Sequence, residues 1–519
     1  MQRIYQLSLF IITISLIASC AVQKKPGNSL PNNKEIRKVF SVGYKAIINK
    51  YIEKLSIQNI GLAGLNGFSS IDPFIRAENS EGYVTLFYGQ KDIKSWKVPI
   101  NADVNTWIDI IDDATVITSQ RSKKIAQATK EEILTSLFNG AIEKLDKFSR
   151  YVGAKETKKN RAKRNGFGGI GVYLKIIRNK AIISRVIENS PAAEMGLKIG
   201  DHITHVNGVL VSTLEKKNLV NILRGPKMTD VSLLILRDQL MDPITIKITR
   251  DHIYPISVVE NYNDKIIHFK ISSFNQNTAS SFTKKLTRTL NNIKLPLDGI
   301  ILDLRGNPGG VLKQSIKLSD VFLNKGKIIS TSGRHFDSIN QYTAGEPDLS
   351  EGLPIIVIIN RKSASAAESL AATLQDRGRA VVIGSTSYGK GTIQTVIPLP
   401  NDGEIILTWS KFIAPSGYTI DGLGVLPTIC TSNGTYKPNP YIKEFIPYKK
   451  SLSIIFKHWR TLGDKSTNLQ NKLRASCPPK KRTSDYDLKI AKDLLKKPHY
   501  YKTILKLFSP SSAEVSYNY

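Results

Sequence analysis

Apolar residues recur along this chain in three successive rhythms, and each calls for a different kind of element. From Ile36 to Val152 they come at helical spacing: Ile133, Leu137, Ala141 and Leu145 form one row, with Leu134, Phe138, Ile142 and Phe148 beside it. One run there, Gly82 to Tyr88, has instead the β-branched and aromatic content of a strand. From Gly166 to Arg250 the runs shorten and glycine punctuates them, as in Gly168-Gly169-Ile170-Gly171-Val172 and Ala181 to Val186, with one helical segment from Leu214 to Leu223. That alternation predicts a small β-rich module. Over 251–428 the runs become continuous. Gly299 to Leu304 and Leu353 to Ile359 read as strands covered on both faces, each leading through a loop into a helical pattern, which predicts an α/β core. The tail, 429–519, is Lys-rich and moderately helical.

The N-terminus adds an address. Arg3 and the amino terminus form a short positive region, Leu7 to Ile17 an apolar stretch too short to span a bilayer, and Ile17-Ala18-Ser19-Cys20 follows. Small residues directly before a cysteine resemble the bacterial lipoprotein signal. Residues 1–19 are then a removed leader, Cys20 carries lipid, and 20–35, broken by Pro26 and Gly27, is a tether. The body is expected in the cell envelope, anchored to a bacterial membrane and facing the periplasm. Besides Cys20 there are only Cys430 and Cys477, an even pair for which an oxidising compartment favours a disulfide over two buried thiols.

Charge changes the picture little. Lys and Arg number 74 against 43 Asp and Glu, a formal net charge of +31, but the lysines are scattered as solvated faces would be. The densest run, Lys158 to Arg164, reads as a linker, and no nucleic-acid-binding motif accompanies it, so nucleic acid is not expected as a partner.

Three stretches carry candidate chemistry. Asn360 to Glu368 follows a buried strand and opens a helix, so Ser365 sits among unpaired backbone N–H groups at the positive end of a dipole. Taken alone, such a serine reads more simply as a cap. Tyr388-Gly389-Lys390-Gly391-Thr392-Ile393-Gln394 puts a lysine between glycines, with Lys390, Thr392 and Gln394 on one face of an extended segment. A lysine taken out of water gives up its proton more readily and can act as a base; the spacing of a phosphate-binding loop is absent. Asp303 to Gly310 is a third strand-to-helix turn, whose paired glycines expose backbone N–H groups. His202 and His205 lie in a turn and strand rather than at ligand spacing on a helix, and neither a metal nor a cofactor is expected.

In this order, the three stretches resemble the C-terminal processing peptidases, or tail-specific proteases. The likeness runs from about Leu134 to Thr428 and includes Leu145-Asp146, Asn189 to Ala193, Gly196 to Asp201 and Pro415-Ser416-Gly417. It implies a PDZ domain at 166–250 set between a mainly helical region (36–165) and an α/β peptidase core of crotonase-like ββα character (251–428), with a mixed extension at 429–519. It also implies Ser365 as nucleophile, Lys390 as general base, Gln394 in support and Asp376 as a residue sometimes grouped with them. Ser363 is the confounder and reads as loop or cap. N–H groups of Ala366, Gly309 and Gly310 would hold the oxyanion. Gly168, Gly169, Ile170, Gly171 and Val172 would receive a substrate's C-terminal carboxylate, with Leu214 to Leu223 walling the groove. The implied activity is endoproteolysis near the C-termini of proteins with exposed tails, with an adaptor or homo-oligomer left open. The alternatives are an inactive PDZ scaffold and an acyl-CoA hydratase or isomerase. Ala367 stands where the family often has a second serine.

Overall fold

The structure, a computed structural model, describes residues 33–238, 240–293, 295–432, 449–461, 467–478 and 485–508; the expected leader, Cys20 and most of the tether lie outside them. Among the described residues no helix is long and apolar enough to cross a membrane.

The continuous apolar runs build the centre. A six-stranded sheet runs from edge to edge as Val258–Asn263, Ile266–Ile271, Gly299–Asp303, Ile355–Ile359, Ala380–Gly384 and Ile429–Cys430. Only its first pair is antiparallel. Gly299–Asp303, Ile355–Ile359 and Ala380–Gly384 are buried along their whole length, which is why their sequences do not alternate. The Ala366–Asp376 helix is likewise buried at every position. A second sheet, ordered Asn340–Ala344, Gly326–Gly333, Glu404–Ile413 and Thr392–Pro398, stands beside it, and the short Arg150–Val152 strand joins Glu404–Ile413.

The N-terminal region is helical but carries a three-stranded antiparallel meander, Ile75–Ser80, Tyr83–Tyr88 and Lys91–Lys97, where the sequence pattern shows one strand. The outer two strands are mostly polar: the first buries only Ile75 and Ala77 before turning to exposed residues, and the third buries no residue fully, so little apolar alternation betrays them. This region is not separate from the rest: its core includes Ile405 and Leu407 of the second sheet and Leu399 from the turn before them. The basic stretch expected to be a linker is a helix, Ala154–Asn165, and its Arg161 and Arg164 both pair with the buried Glu404.

The β-rich module has its own core and a sheet ordered Ile244–Thr249, Asp230–Leu236, His202–Val206, Lys180–Val186 and Val172–Ile177, with a helix at Lys216–Leu223. The Val172–Ile177 strand is an open edge.

The tail is part of the central core rather than an appendage. Phe456, Trp459, Leu473, Tyr486, Ile490, Leu494 and Tyr501 are buried in the same cluster as the parallel sheet. Cys430 and Cys477 are joined by a disulfide with Cα atoms 5.7 Å apart.

Candidate active site

Ser365 ends the loop after the Ile355–Ile359 strand and directly precedes the Ala366–Asp376 helix. Its φ of 55° is uncommon for a residue with a side chain, and such strain costs about 1–3 kcal/mol unless the surroundings impose it. Here they do. Ala364 N–H donates to Asn307 O (2.9 Å), Ser369 N–H to Ser365 O (2.9 Å), and Ser365 N–H to Glu368 Oε2 (2.7 Å).

Glu368 is fully buried and binds the two chemical loops together. Its Oε2 also accepts from Lys390 N–H (2.9 Å), while Oε1 accepts from Gly389 N–H (2.6 Å) and the Ser387 hydroxyl. One carboxylate oxygen thus holds the main chains of Ser365 and Lys390 within two hydrogen bonds of each other. Burial pushes the Glu368 carboxyl up, its four donors pull it back only in part, and the net direction is up. Because all four partners donate, the group is read as an ionised carboxylate.

Lys390 follows on the loop that Gly389 closes by accepting from Gly422 N–H (3.0 Å). Burial is the largest influence on its ammonium and pushes the pKa down. The charge of Arg150 pushes it further down, whereas Asp146 and Glu368 push it up, and the net direction is down. Its Nζ lies 4.9 Å from the centre of the Phe148 ring.

Gln394 hydrogen-bonds Thr392 Oγ1 (3.0 Å) and Thr408 Oγ1 (3.1 Å), not the lysine it was expected to support. Asp376, expected to act structurally first although sometimes grouped with the dyad, lies away from it. It closes the far end of the Ala366–Asp376 helix, and a rise of 1.5 Å per residue puts it about 16 Å from Ser365. There it accepts from Ser416 (2.6 Å from the hydroxyl) and pairs with Arg460 (3.2 Å), which is structural work. Ser363 is fully buried between Leu304 O and Asn360 N–H, consistent with a loop fastener.

The glycine turn lies against Ser365: a Cβ on Gly309 would come 2.6 Å from Ala364 O and 2.8 Å from Ser365 Cβ, and one on Gly310 2.1 Å from Phe274 O. Of the expected oxyanion donors, Gly309 N–H is already occupied by Asn307 Oδ1 (2.8 Å). The N–H groups of Gly310 and Ala366 have no partner among the described residues.

In the β-rich module, Gly168 and Gly169 belong to a short ladder with Asp251–Ile253, so the free loop shortens to Ile170 and Gly171, whose N–H groups are unpaired among the described residues. Ile187 N–H donates to Gly171 O, which makes Val172 and Val186 a non-hydrogen-bonded pair. Val172 therefore turns its own N–H and C=O to the open edge.

Glu368, Asn307, Phe148 and Arg150 were not singled out from sequence. The Ser365-x-x-Glu368 spacing was a usable signal, since that pattern places a glutamate over a helix start. No cluster of metal-ligating side chains occurs among the described residues.

The profile of peptidase family S41 matches residues 265–431, and that of the PDZ domain residues 182–237. The chain is similar to the carboxy-terminal-processing protease of Bartonella bacilliformis, at 34% identity over 341 residues covering 65% of this chain and 78% of that protein. It is similar also to the carboxy-terminal processing protease CtpA of Bacillus subtilis, at 30% identity over 384 residues covering 72% and 78%. Among solved structures, a photosystem II D1 C-terminal processing protease aligns with a TM-score of 0.39 and 18% identity over 76% of this chain and 92% of that one.

Proposed function

The chain belongs to the carboxy-terminal processing proteases of peptidase family S41, serine peptidases with a PDZ domain, and from that premise we propose that Ser365 and Lys390 form its catalytic dyad. The single observation that carries the assignment is the buried Glu368, whose Oε2 receives the N–H groups of both residues. Neutral Lys390 takes the proton from Ser365 Oγ as Oγ attacks the scissile carbonyl carbon. The N–H groups of Ala366 and Gly310 receive the oxyanion. Collapse breaks the C–N bond, the lysine passes its proton to the leaving amine, and an acyl-enzyme remains. Water, deprotonated in turn by Lys390, attacks the acyl carbon, and the new C-terminus leaves as Ser365 Oγ takes that proton back.

The N–H groups of Ile170, Gly171 and Val172 receive the carboxylate of a substrate tail, which adds as a strand along Val172–Ile177. Equal cleavage of free-acid and amidated peptides would remove this role. The parallel sheet with returning helices supports a crotonase-like reading of the core. Cys20 anchors the body in the envelope; an unmodified mature N-terminus elsewhere by mass spectrometry would end that reading.

The dyad is tested by substitution. Lys390→Arg keeps the positive charge but cannot release it, so it abolishes turnover as Ser365→Ala does, with the fold retained. Ser363→Ala keeps activity. A Lys390→Arg protein cutting peptide near the wild-type rate would overturn the assignment.

A further inference from the structure

The outer wall of the lysine comes from far earlier in the chain, at the turn from Asp146 to Arg150. Lys390 Nζ lies over the Phe148 ring, 4.9 Å from its centre, and makes no hydrogen bond or ion pair among the described residues. We infer that Phe148, braced by Arg150, is a positioning residue of the peptidase, its ring shutting water away from Lys390 so that the amine is available as a base. This rests on the dyad reading above.

The turn is built to hold that ring in place. Asp146 Oδ1 accepts from Ser149 N–H (3.1 Å) and its hydroxyl (2.5 Å), and Oδ2 from Phe148 N–H (3.4 Å) and Thr408 Oγ1–H (2.8 Å). Asp146 N–H donates to Tyr51 Oη (3.0 Å), and Thr408 N–H to Ser149 Oγ (3.1 Å). Thr408 Oγ1 in turn accepts from Gln394. Gln394 therefore reaches the lysine indirectly, through Thr408 and Asp146 to the aromatic ring. A ring face attracts a cation, but it solvates one far less well than the water it displaces, so the balance favours the neutral amine.

The charges around Lys390 come from several elements. Arg150, whose Nη1 donates to Phe148 O (3.2 Å), opposes its protonation, and Asp146 and Glu368 favour it. Lys147 lies 5.1 Å from the same ring, and Arg474 Nη1 approaches Gly389 from the tail. Arg150 is exposed, so its replacement leaves the core intact.

The experiment measures the proton affinity of Lys390 directly, by competitive acetylation with trace acetic anhydride across pH and mass spectrometry of its peptide. The pH dependence of kcat/KM is measured in parallel on the full chain. Phe148→Ala and Arg150→Gln should each raise both midpoints by roughly one unit. Below the midpoint kcat/KM should then fall about tenfold, with KM little changed. Phe148→Tyr and Arg150→Lys should restore the wild-type midpoints. An unmoved Lys390 midpoint in both Phe148→Ala and Arg150→Gln overturns the inference while leaving the dyad standing. A wild-type Lys390 that titrates as an ordinary exposed lysine overturns the dyad reading, and this inference with it.

Discussion

Glu368 has no ion pair among the described residues, and its charge is borne by donors alone. Glu368→Gln keeps the shape but turns an amide NH2 toward groups that are themselves donors, which costs about 1–3 kcal/mol for the unmet partners. A small displacement of the Ser365 and Lys390 backbones is worth about a hundredfold in rate. Steady-state kinetics should therefore show kcat falling by that order with KM less affected, in a protein that still melts cooperatively. Lys390 carries a pH prediction of its own. Its active form is neutral and its pKa is pushed down, so activity rises as pH climbs through that lowered value and stays high above it. A rate that declines as Lys390 deprotonates would contradict it. Ser365 and Lys390 were legible as candidates because each loop follows an apolar run, and glycines flank Lys390. Glu368 was legible only as a cap, because Ser-x-x-Glu at a helix start signals local capping. Only the return of the 387–390 loop gives the carboxylate its other three donors. The hold of Asn307 on the N–H of Gly309, by contrast, is a contact two residues long that the Asn-Pro-Gly turn could have signalled.

At the level of elements, composition misled most where charge hides a docking face. Ala154–Asn165 looks like a solvated linker, yet Thr157, Arg161 and Arg164 fall on one side at spacings of four and three. Thr157 Oγ1 donates to Val152 O (3.0 Å), while Arg161 and Arg164 reach Glu404 at 2.7 and 2.9 Å. Gln276 N–H also donates to Arg164 O (2.9 Å), tying this helix to the peptidase core next to the PDZ domain. Glu404→Gln would leave both cations without their counter-charge and should destabilise the fold by about 3 kcal/mol, read as a lower urea midpoint with an unchanged slope. The polar strands of the N-terminal meander escaped for a related reason: pairing, with little burial beyond Ile75 and Ala77, keeps them extended. The central strands were easier, since a run such as Ile355–Ile359 is apolar because both of its faces are covered.

Across the whole molecule, the helices after residue 448 complete the core that the parallel sheet begins. Trp459 Nε1–H donates to Gly424 O (3.3 Å), Arg460 answers Asp376, and Tyr501 Oη accepts from Ile355 N–H (2.9 Å). The disulfide closes a loop with a sequence separation of 47, which in the chain-entropy account stabilises the fold by about 4 kcal/mol. Reduction without unfolding should lower the urea midpoint accordingly, and an unchanged midpoint would show that packing alone holds the tail. The alternation of strands and helices made the α/β centre readable from the chain, but the tail's role was not, because its apolar residues pair with a sheet formed elsewhere. The turn at Asp146, the glycines at 309–310, the helix start at Ser365 and the Lys390 loop are distant in sequence, and none is a working site alone. Such long-range closures come late in folding, since each must first overcome the entropy of the chain between its ends. Newly made chains are then harmless to one another while still incomplete. In a refolding experiment, helical circular dichroism should return first, and peptide cleavage only after a lag.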